Sequence, residues 1–147
     1  MNEQKIILIA DDSSDDILLT RRALKEAGIS NPVHVARDGE EAMKYLAGEG
    51  EFADREKHPY PTVLCLDIHL PRRNGVEVLR WMREGRHLEK VTVVILAGNR
   101  DLNHVREAYA LGAFSFLTKP IKENEVRILN EALRRSGPEI TPAGEAV

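Results

Sequence analysis

The sequence predicts an α/β fold, a doubly wound five-stranded parallel sheet with helices packed on both faces. Short apolar runs alternate strictly with segments of helical spacing along the 147 residues, and this alternation is typical of parallel sheets joined by right-handed crossovers. Runs such as IILIA and VVIL carry no polar residue at alternate positions, as expected of strands buried on both faces. The chain is long enough for one domain around a single core and too short for two.

Five short runs predict the strands. Each is rich in β-branched or aromatic residues and is bounded by Asp, Pro or Gly, which is typical of strands in a buried sheet. The runs are KIILIA at 5–10, PVHVA at 32–36, TVLCLD at 62–67, VTVVIL at 91–96 and AFSFLT at 113–118.

Five further segments place apolar residues at helical spacing, and four of them end within a residue or two of a glycine. Their apolar residues are Ile17, Leu18, Leu24 and Ala27; Ala42, Met43 and Leu46; Val76, Leu79 and Met82; Val105, Ala108 and Leu111; and Val126, Leu129 and Leu133. Ser13 or Ser14 would cap the first helix. Asp15 and Asp16 fall in its first turn, where the helix dipole favours carboxylates by about 0.3–1 kcal/mol each. We favour this role over a ligand role for the pair.

Composition and motifs argue against several classes of function. A net charge of −3 provides no basic surface for a nucleic-acid backbone. The single cysteine, Cys65, lies inside an apolar run and cannot form an internal disulfide, which favours a cytoplasmic location. No signal peptide precedes the first strand, no apolar run is long enough to span a membrane, and no glycine-rich phosphate loop is present. The five histidines show no metal-ligand spacing, so the sequence predicts no transition-metal site.

Acidic and basic residues follow three of the predicted strands at their C-terminal ends. Asp11 and Asp12 follow the first strand, Asp67 ends the third, and Lys119 follows the fifth. Because these ends share one edge of a parallel sheet, we expect the four side chains to converge there. Clustered carboxylates are suitable ligands for Mg²⁺, and a carboxylate beside a metal ion and a lysine can attack phosphorus as a nucleophile.

The motifs that carry these residues resemble those of the receiver domain of two-component response regulators. They are the pair Asp11-Asp12, the stretch Asp67-Ile-His-Leu-Pro71 with Gly75 after it, and Lys119-Pro120. The resemblance covers residues 4–136 and implies the flavodoxin-like strand order 2-1-3-4-5 with five helices. It leaves residues 137–147 as a flexible C-terminal tail and residues 48–61 as an unusually long, charged connection before the third strand.

The resemblance also implies a role for individual residues. Asp67 resembles the phosphoacceptor, and Asp11 and Asp12 resemble the Mg²⁺ ligands, together with Asp67 and the backbone carbonyl of His69. Lys119 resembles the lysine that contacts the phosphoryl group. Further along the chain, Phe116 matches the aromatic switch position, and the peptide bond before Pro120 is expected to be cis.

The implied partners are those of a single-domain response regulator. The phosphoryl donor would be a sensor histidine kinase or a histidine phosphotransfer protein, and the long connection is similar to that of stand-alone regulators paired with bacterial phytochromes. Such relatives dimerise through the fourth helix, fifth strand and fifth helix, which correspond to about residues 100–136. The apolar stripe of the last helix, taken alone, is better explained by packing on the sheet.

One position departs from the family pattern. The fourth strand usually ends in Thr or Ser, whose hydroxyl bonds the phosphoryl group, but here Ala97 occupies that position. Loss of a hydrogen bond to a charged group costs about 1.5–3 kcal/mol. Thr92 lies at the start of the strand, at the wrong edge to replace the hydroxyl. Phosphorylation could survive this change, whereas switching driven by the hydroxyl could not.

Two other functions are weighed against a phosphoacceptor module. A phosphatase of the haloacid dehalogenase type also uses a nucleophilic aspartate, but it needs a second acid two residues later, where this chain has His69. An interaction module that does not depend on phosphorylation, or a phosphate sink, is suggested by Ala97. The sequence therefore predicts a non-enzymatic signalling protein that accepts a phosphoryl group on Asp67, with a phosphorylation-independent interaction module or phosphate sink as the alternative.

Overall fold

The computed structural model describes residues 4–98 and 101–135, which form a parallel sheet of five strands in the order β2-β1-β3-β4-β5. The strands are β1 (Ile7–Ala10), β2 (Val33–Ala36), β3 (Val63–Asp67), β4 (Thr92–Ala97) and β5 (Ser115–Thr118). The helices are α1 (Ser14–Glu26), α2 (Gly39–Ala47), α3 (Gly75–Glu84), α4 (Leu102–Leu111) and α5 (Val126–Arg135). Three short 3-10 helices lie at Gly50–Ala53, His87–Glu89 and Glu123–Glu125. The predicted fold class, strand order and five helices are confirmed.

The sheet separates two apolar clusters, which explains the absence of polar residues from the central strands. Leu8 and Leu64 belong to the cluster that contains side chains of α2, α3 and α4. Ile7 and Cys65, their neighbours in the same strands, belong to the cluster that contains side chains of α1 and α5. All four are fully buried. Complete burial also raises the pKa of the Cys65 thiol to about 12, so this thiol is held protonated and unreactive.

Side-chain caps stabilise the N-terminal ends of helices α1 and α3, which start near the C-terminal ends of strands β1 and β3. Ser13 is the N-cap of α1, and its hydroxyl accepts a hydrogen bond from the backbone N–H of Asp16. Asn74 and Glu77 form a reciprocal capping box at the start of α3. These caps hold the first turns of α1 and α3 in place directly after strands β1 and β3.

The long connection before β3 is packed onto the domain. Phe52, in the 3-10 helix at Gly50–Ala53, is buried against the core. The guanidinium of Arg55 donates hydrogen bonds to the backbone carbonyls of Tyr45, Leu46 and His58, at 2.9–3.1 Å. One arginine thus joins the C-terminal end of α2 to the connection. Charge alone did not predict this packing.

The domain limits predicted from the sequence stay predictions. The tail at residues 137–147 lies outside the described residues, as does the last residue of the predicted domain. Within the described ranges, no helix combines the length and apolar character needed to cross a membrane.

Candidate phosphoacceptor site

Three carboxylates meet where β1 and β3 end side by side. These strands pair in parallel, with Ala10 opposite Leu66, so the residues that follow leave the sheet at the same edge. One carboxylate oxygen from each of Asp11, Asp12 and Asp67 lies within 4.8 Å of the other two. Asp11 and Asp67 are buried and Asp12 is exposed. This is the point at which the strand order reverses, where open α/β sheets bind ligands.

Lys119 brings a positive charge to these carboxylates from the end of β5. Its Nζ lies 2.9 Å from Asp67 Oδ2 and 3.3 Å from Asp11 Oδ2. The peptide bond between Lys119 and Pro120 is cis. Burial opposes the charge on this lysine, but hydrogen bonds to Asp16 and Asp67 outweigh that effect and raise its pKa above the ordinary value. Lys119 is therefore a firmly protonated ammonium inside the acidic group.

Asp16 belongs to the same site, contrary to the sequence interpretation that gave it only a helix-start role. It lies in the first turn of α1 as predicted, but its Oδ2 is also 2.8 Å from Lys119 Nζ. Asp15, its neighbour in that turn, is exposed. The two carboxylates differ because α1 begins over the end of β1, so one position of its first turn faces Lys119 while the preceding one faces solvent.

The carboxylates of the site carry more negative charge than the neighbouring lysine neutralises. Burial raises the pKa of Asp11; the Ser13 N–H, which donates to Asp11 Oδ1 at 3.0 Å, opposes this rise, and the charge of Asp67 reinforces it. A single ammonium does not neutralise the nearby carboxylates of Asp11, Asp16 and Asp67. The donor set fits Mg²⁺, a hard cation that prefers carboxylate oxygens and retains several waters.

The loop after β3 positions Asp67 through its backbone. The N–H of His69 donates to Asp67 Oδ1 at 3.1 Å, and the N–H of Gly75 donates to the carbonyl of Ile68 at 2.8 Å. A Cβ on Gly75 would lie 2.4 Å from the carbonyl oxygen of Asp67. Only glycine therefore allows α3 to start this close to Asp67, which is the physical reason for Gly75 in the motif.

An open cavity of about 440 Å³ gives solvent access to these groups. Its lining includes Asp12, Asp16, Asp67, His69, Asp101 and Lys119. A buried carboxylate next to a lysine, at the floor of a cavity able to admit a phosphoryl group, has the components of a phosphoryl-acceptor site.

The model of the response regulator receiver domain family matches residues 7–131 of this chain. The chain belongs to that family. Domains of this family are signalling modules of two-component systems, and phosphorylation on aspartate with Mg²⁺ is typical of them. Membership in this family removes the haloacid dehalogenase alternative.

Three relatives show that the similarity extends to stand-alone regulators. Response regulator Rcp1 of Synechocystis sp. is 34% identical over 118 residues, covering 80% of this chain and 78% of its own length; its Mn²⁺-bound structure matches with a TM-score of 0.70, at 30% identity, over 95% of this chain and 99% of that one. The bacteriophytochrome response regulator RtBRR matches at 35% identity and a TM-score of 0.78, over 96% of this chain and 81% of its own. The structure of the phosphorylated cyanobacterial phytochrome response regulator RcpA matches at 28% identity and a TM-score of 0.73. The match covers 90% of this chain and 93% of that one.

The receiver domain lacks a hydroxyl at the end of β4. Ala97 is buried there and pairs with Thr118 of β5. Thr118 Oγ1 donates instead to Glu125 Oε1, at 2.9 Å. Thr92 pairs with Val63 at the opposite end of β4, as its place in the sequence predicts. Neither threonine takes the place of the usual hydroxyl.

Phe116, at the predicted switch position, lies in β5 and is half-buried. Its ring meets that of Tyr109 from α4 edge-on, with centroids 6.5 Å apart. The aromatic side chain thus packs at the junction of β5 with α4.

Asp101, which borders the cavity before α4, follows from no motif in the sequence. Its carboxylate is nearly buried; Oδ1 lies 2.8 Å from His69 Nε2, and Oδ2 accepts a 2.8 Å hydrogen bond from the N–H of Gly98. Burial would raise the pKa of Asp101, but these two hydrogen bonds outweigh it and lower the pKa below its ordinary value. The ionised carboxylate of Asp101 therefore accepts a hydrogen bond from the backbone N–H of Gly98, the residue after Ala97.

Proposed function

We propose that this receiver domain accepts a phosphoryl group on Asp67 from a phosphohistidine. The donor is a sensor histidine kinase or a histidine phosphotransfer protein. The observation that carries the proposal is the contact between a buried aspartate and a protonated lysine, 2.9 Å from Asp67 Oδ2 to Lys119 Nζ, in the lining of an acidic cavity. In this role the chain is a substrate and carrier of the phosphoryl group rather than an enzyme.

In the transfer, an oxygen of the Asp67 carboxylate forms a bond to phosphorus as the bond from phosphorus to the donor imidazole nitrogen breaks. The imidazole leaves with the electron pair of that bond, and the phosphoryl group stays on Asp67 as an aspartyl phosphate. Asp11, Asp12 and Asp67, with the backbone carbonyl of His69, would hold Mg²⁺, which would supply positive charge to offset that of the phosphoryl oxygens.

Lys119 prepares the site for the incoming anion. It already contacts three carboxylates, through Asp11, Asp16 and Asp67. When Asp67 becomes esterified, the lysine can exchange its contact with that carboxylate for one with a phosphoryl oxygen, while Asp16 keeps the ammonium near the pocket. Asp16 is thus proposed as a residue that positions Lys119.

A second candidate function is favoured by Ala97. Without a hydroxyl at this position, phosphorylation has no direct hydrogen bond through which to draw Phe116 inward. The chain would then act as a phosphate sink, or as an interaction module whose binding does not depend on phosphorylation. Labelling of Asp67 without any change in partner affinity would favour this function over a switch.

The names of two relatives support the choice of donor. RtBRR is named a bacteriophytochrome response regulator and RcpA a cyanobacterial phytochrome response regulator, so we propose a phytochrome-type histidine kinase as the donor. A homodimer through about residues 100–136, which include α4, β5 and α5, is proposed from the resemblance to stand-alone regulators. A cytoplasmic location agrees with the free, buried thiol of Cys65.

The test uses a small-molecule phosphoryl donor, phosphoramidate, because it does not require the kinase. With Mg²⁺, the wild-type chain should gain the mass of one phosphoryl group, and Asp67→Asn should gain none. Asp15→Asn is the matched control, because this exposed carboxylate lies in the same acidic stretch and should leave labelling unchanged. Full labelling of Asp67→Asn would refute the assignment of the phosphoacceptor.

A further inference from the structure

Two histidines and an aspartate from separate segments converge beside the phosphoacceptor cavity. His69 lies in the loop after β3, Asp101 precedes α4, and His104 lies in the first turn of that helix. One ligand atom from each of the three lies within 4.8 Å of the other two. We call these three residues the histidine cluster. It shares no side chain with the carboxylates that would hold Mg²⁺.

The distances in the histidine cluster suit a small transition-metal ion. Asp101 Oδ1 lies 2.8 Å from His69 Nε2 and 3.9 Å from His104 Nδ1. Zn²⁺ binds imidazole nitrogen and carboxylate oxygen at about 2.0–2.2 Å, so tetrahedral ligands around it are separated by about 3.3–3.6 Å. The observed separations bracket this value, and small side-chain rotations would bring the three atoms around one ion.

The carboxylate of Asp101 is held ready for this role. Its Oδ2 accepts the 2.8 Å hydrogen bond from Gly98 N–H, which leaves Oδ1 directed at both imidazoles. Orientation of a ligating carboxylate by a hydrogen bond to its other oxygen is a common feature of metal sites. Because Asp101 and His104 are three residues apart, the start of the helix presents both on one face.

Burial is graded across the histidine cluster. The Asp101 side chain is only 9% exposed, whereas those of His69 and His104 are 65% and 50% exposed. The carboxylate therefore lies at the base of the histidine cluster, and the two imidazoles lie on its solvent side, where an ion can enter. If His69 and Asp101 formed only a hydrogen-bonded pair, nothing would require the imidazole of His104 to lie 3.9 Å from the same Asp101 oxygen.

We propose that the histidine cluster binds a divalent transition-metal ion of the Zn²⁺ class, with three protein ligands and water in the remaining position. Imidazole ligands select such ions over Mg²⁺, which prefers oxygen. The bound ion would link the loop that follows the phosphoacceptor to the start of α4. The proposal does not depend on phosphorylation of Asp67.

The experiment is a titration of the full chain with Zn²⁺ by calorimetry in excess Mg²⁺, repeated with Co²⁺, whose visible absorption reports its coordination geometry. The wild-type chain should bind one ion of either metal, with a Co²⁺ spectrum of low coordination number. His104→Gln and Asp101→Asn should each weaken binding at least tenfold. His34→Gln, a histidine substitution on the edge strand β2, should leave binding unchanged.

Asp11→Asn separates the histidine cluster from the acidic site. Zn²⁺ binding that survives in Asp11→Asn and is lost in His104→Gln supports the proposal. Three results would overturn it: no binding by the wild-type chain, equal affinity in His104→Gln, or loss of binding in Asp11→Asn. Circular dichroism of each variant confirms that altered binding does not result from unfolding.

Discussion

Asp11 shows how a functional residue can oppose folding. Its carboxylate is completely buried beside Asp67, where desolvation and like charge both disfavour the ionised form. The Ser13 N–H and Lys119 offset only part of this cost, since the pKa of Asp11 stays above its ordinary value of 3.8. A residue retained for stability alone would not be ionisable at this place, so its charge is explained by the cation that the site is proposed to hold.

We predict that Asp11→Asn stabilises the metal-free domain. Asparagine keeps an oxygen to accept the Ser13 N–H and removes the buried charge. In EDTA at neutral pH, the melting temperature should rise by about 2–4 °C for each kcal/mol gained. Because the folded-state pKa of Asp11 is raised, the folded state binds the proton more tightly, and stability is lost as pH rises above 3.8. The advantage of the variant should therefore shrink as the pH falls toward that value.

Mg²⁺ should reverse the order of the two proteins. Saturating Mg²⁺ should raise the melting temperature of the wild-type chain by mass action and raise that of Asp11→Asn much less. For the measurement in EDTA, Asp12→Asn is the matched control, because the exposed Asp12 imposes little desolvation cost and its substitution should change the melting temperature little. A lower melting temperature for Asp11→Asn than for the wild-type chain in EDTA would contradict the electrostatic explanation.

At the scale of residues, the sequence predicted that the side chains at the C-terminal ends of the strands lie together. Asp11, Asp67 and Lys119 follow from the fact that parallel strands share one edge. Asp16 and Asp101 do not follow, because their contacts depend on how the first turn of α1 and the start of α4 are oriented over that edge. Helical spacing determines which residues share a face of a helix, but it does not determine which other residues that face contacts.

At the scale of elements, strands and helices were predictable and the connection before β3 was not. Burial on both faces of the sheet leaves a continuous apolar run in each central strand, which is visible in the sequence. The connection at 48–61 is held instead by Arg55, whose hydrogen bonds run to the carbonyls of Tyr45, Leu46 and His58. Its guanidinium also lies over the rings of Tyr45 and Tyr60, at 5.9 and 5.4 Å from their centroids. No local pattern reports such contacts.

We predict that Arg55→Met destabilises the domain by about 1–3 kcal/mol, because the carbonyls at the end of α2 lose a charged donor. Urea unfolding measures the change. Arg80→Met is the matched control: Arg80 makes an exposed ion pair with Glu107 at 3.1 Å, and such pairs contribute about 0–1 kcal/mol. Equal destabilisation by the two substitutions would show that Arg55 does not hold the connection in place.

At the scale of the whole molecule, a phosphorylation signal would have to pass from the acidic site to the surface of α4, β5 and α5 where a homodimer is proposed. Asp67 and Lys119 are at the edge of the sheet, while Phe116 and Tyr109 pack where β5 meets α4. Ala97 ends β4, the strand that pairs with β3 on one side and β5 on the other. Because strands β3, β4 and β5 are packed and hydrogen bonded, a signal crosses them only if a side chain has two discrete arrangements that phosphorylation can bias.

The substitution Ala97→Thr should restore that coupling. A hydroxyl that bonds the phosphoryl group contributes about 1.5–3 kcal/mol, which corresponds to about a 10- to 100-fold shift in the equilibrium between two arrangements. With Mg²⁺ and beryllofluoride as a phosphoryl analogue, amide chemical shifts of the wild-type chain should change around Asp67 and Gly98. In the variant, the changes should extend to Phe116 and Tyr109. Ala97→Val is the control, because valine has the shape of threonine without the hydroxyl and adds the same volume to a buried position. Equal propagation in the valine variant, or full propagation in the wild-type chain, would show that the path to α4 does not require a hydroxyl at position 97.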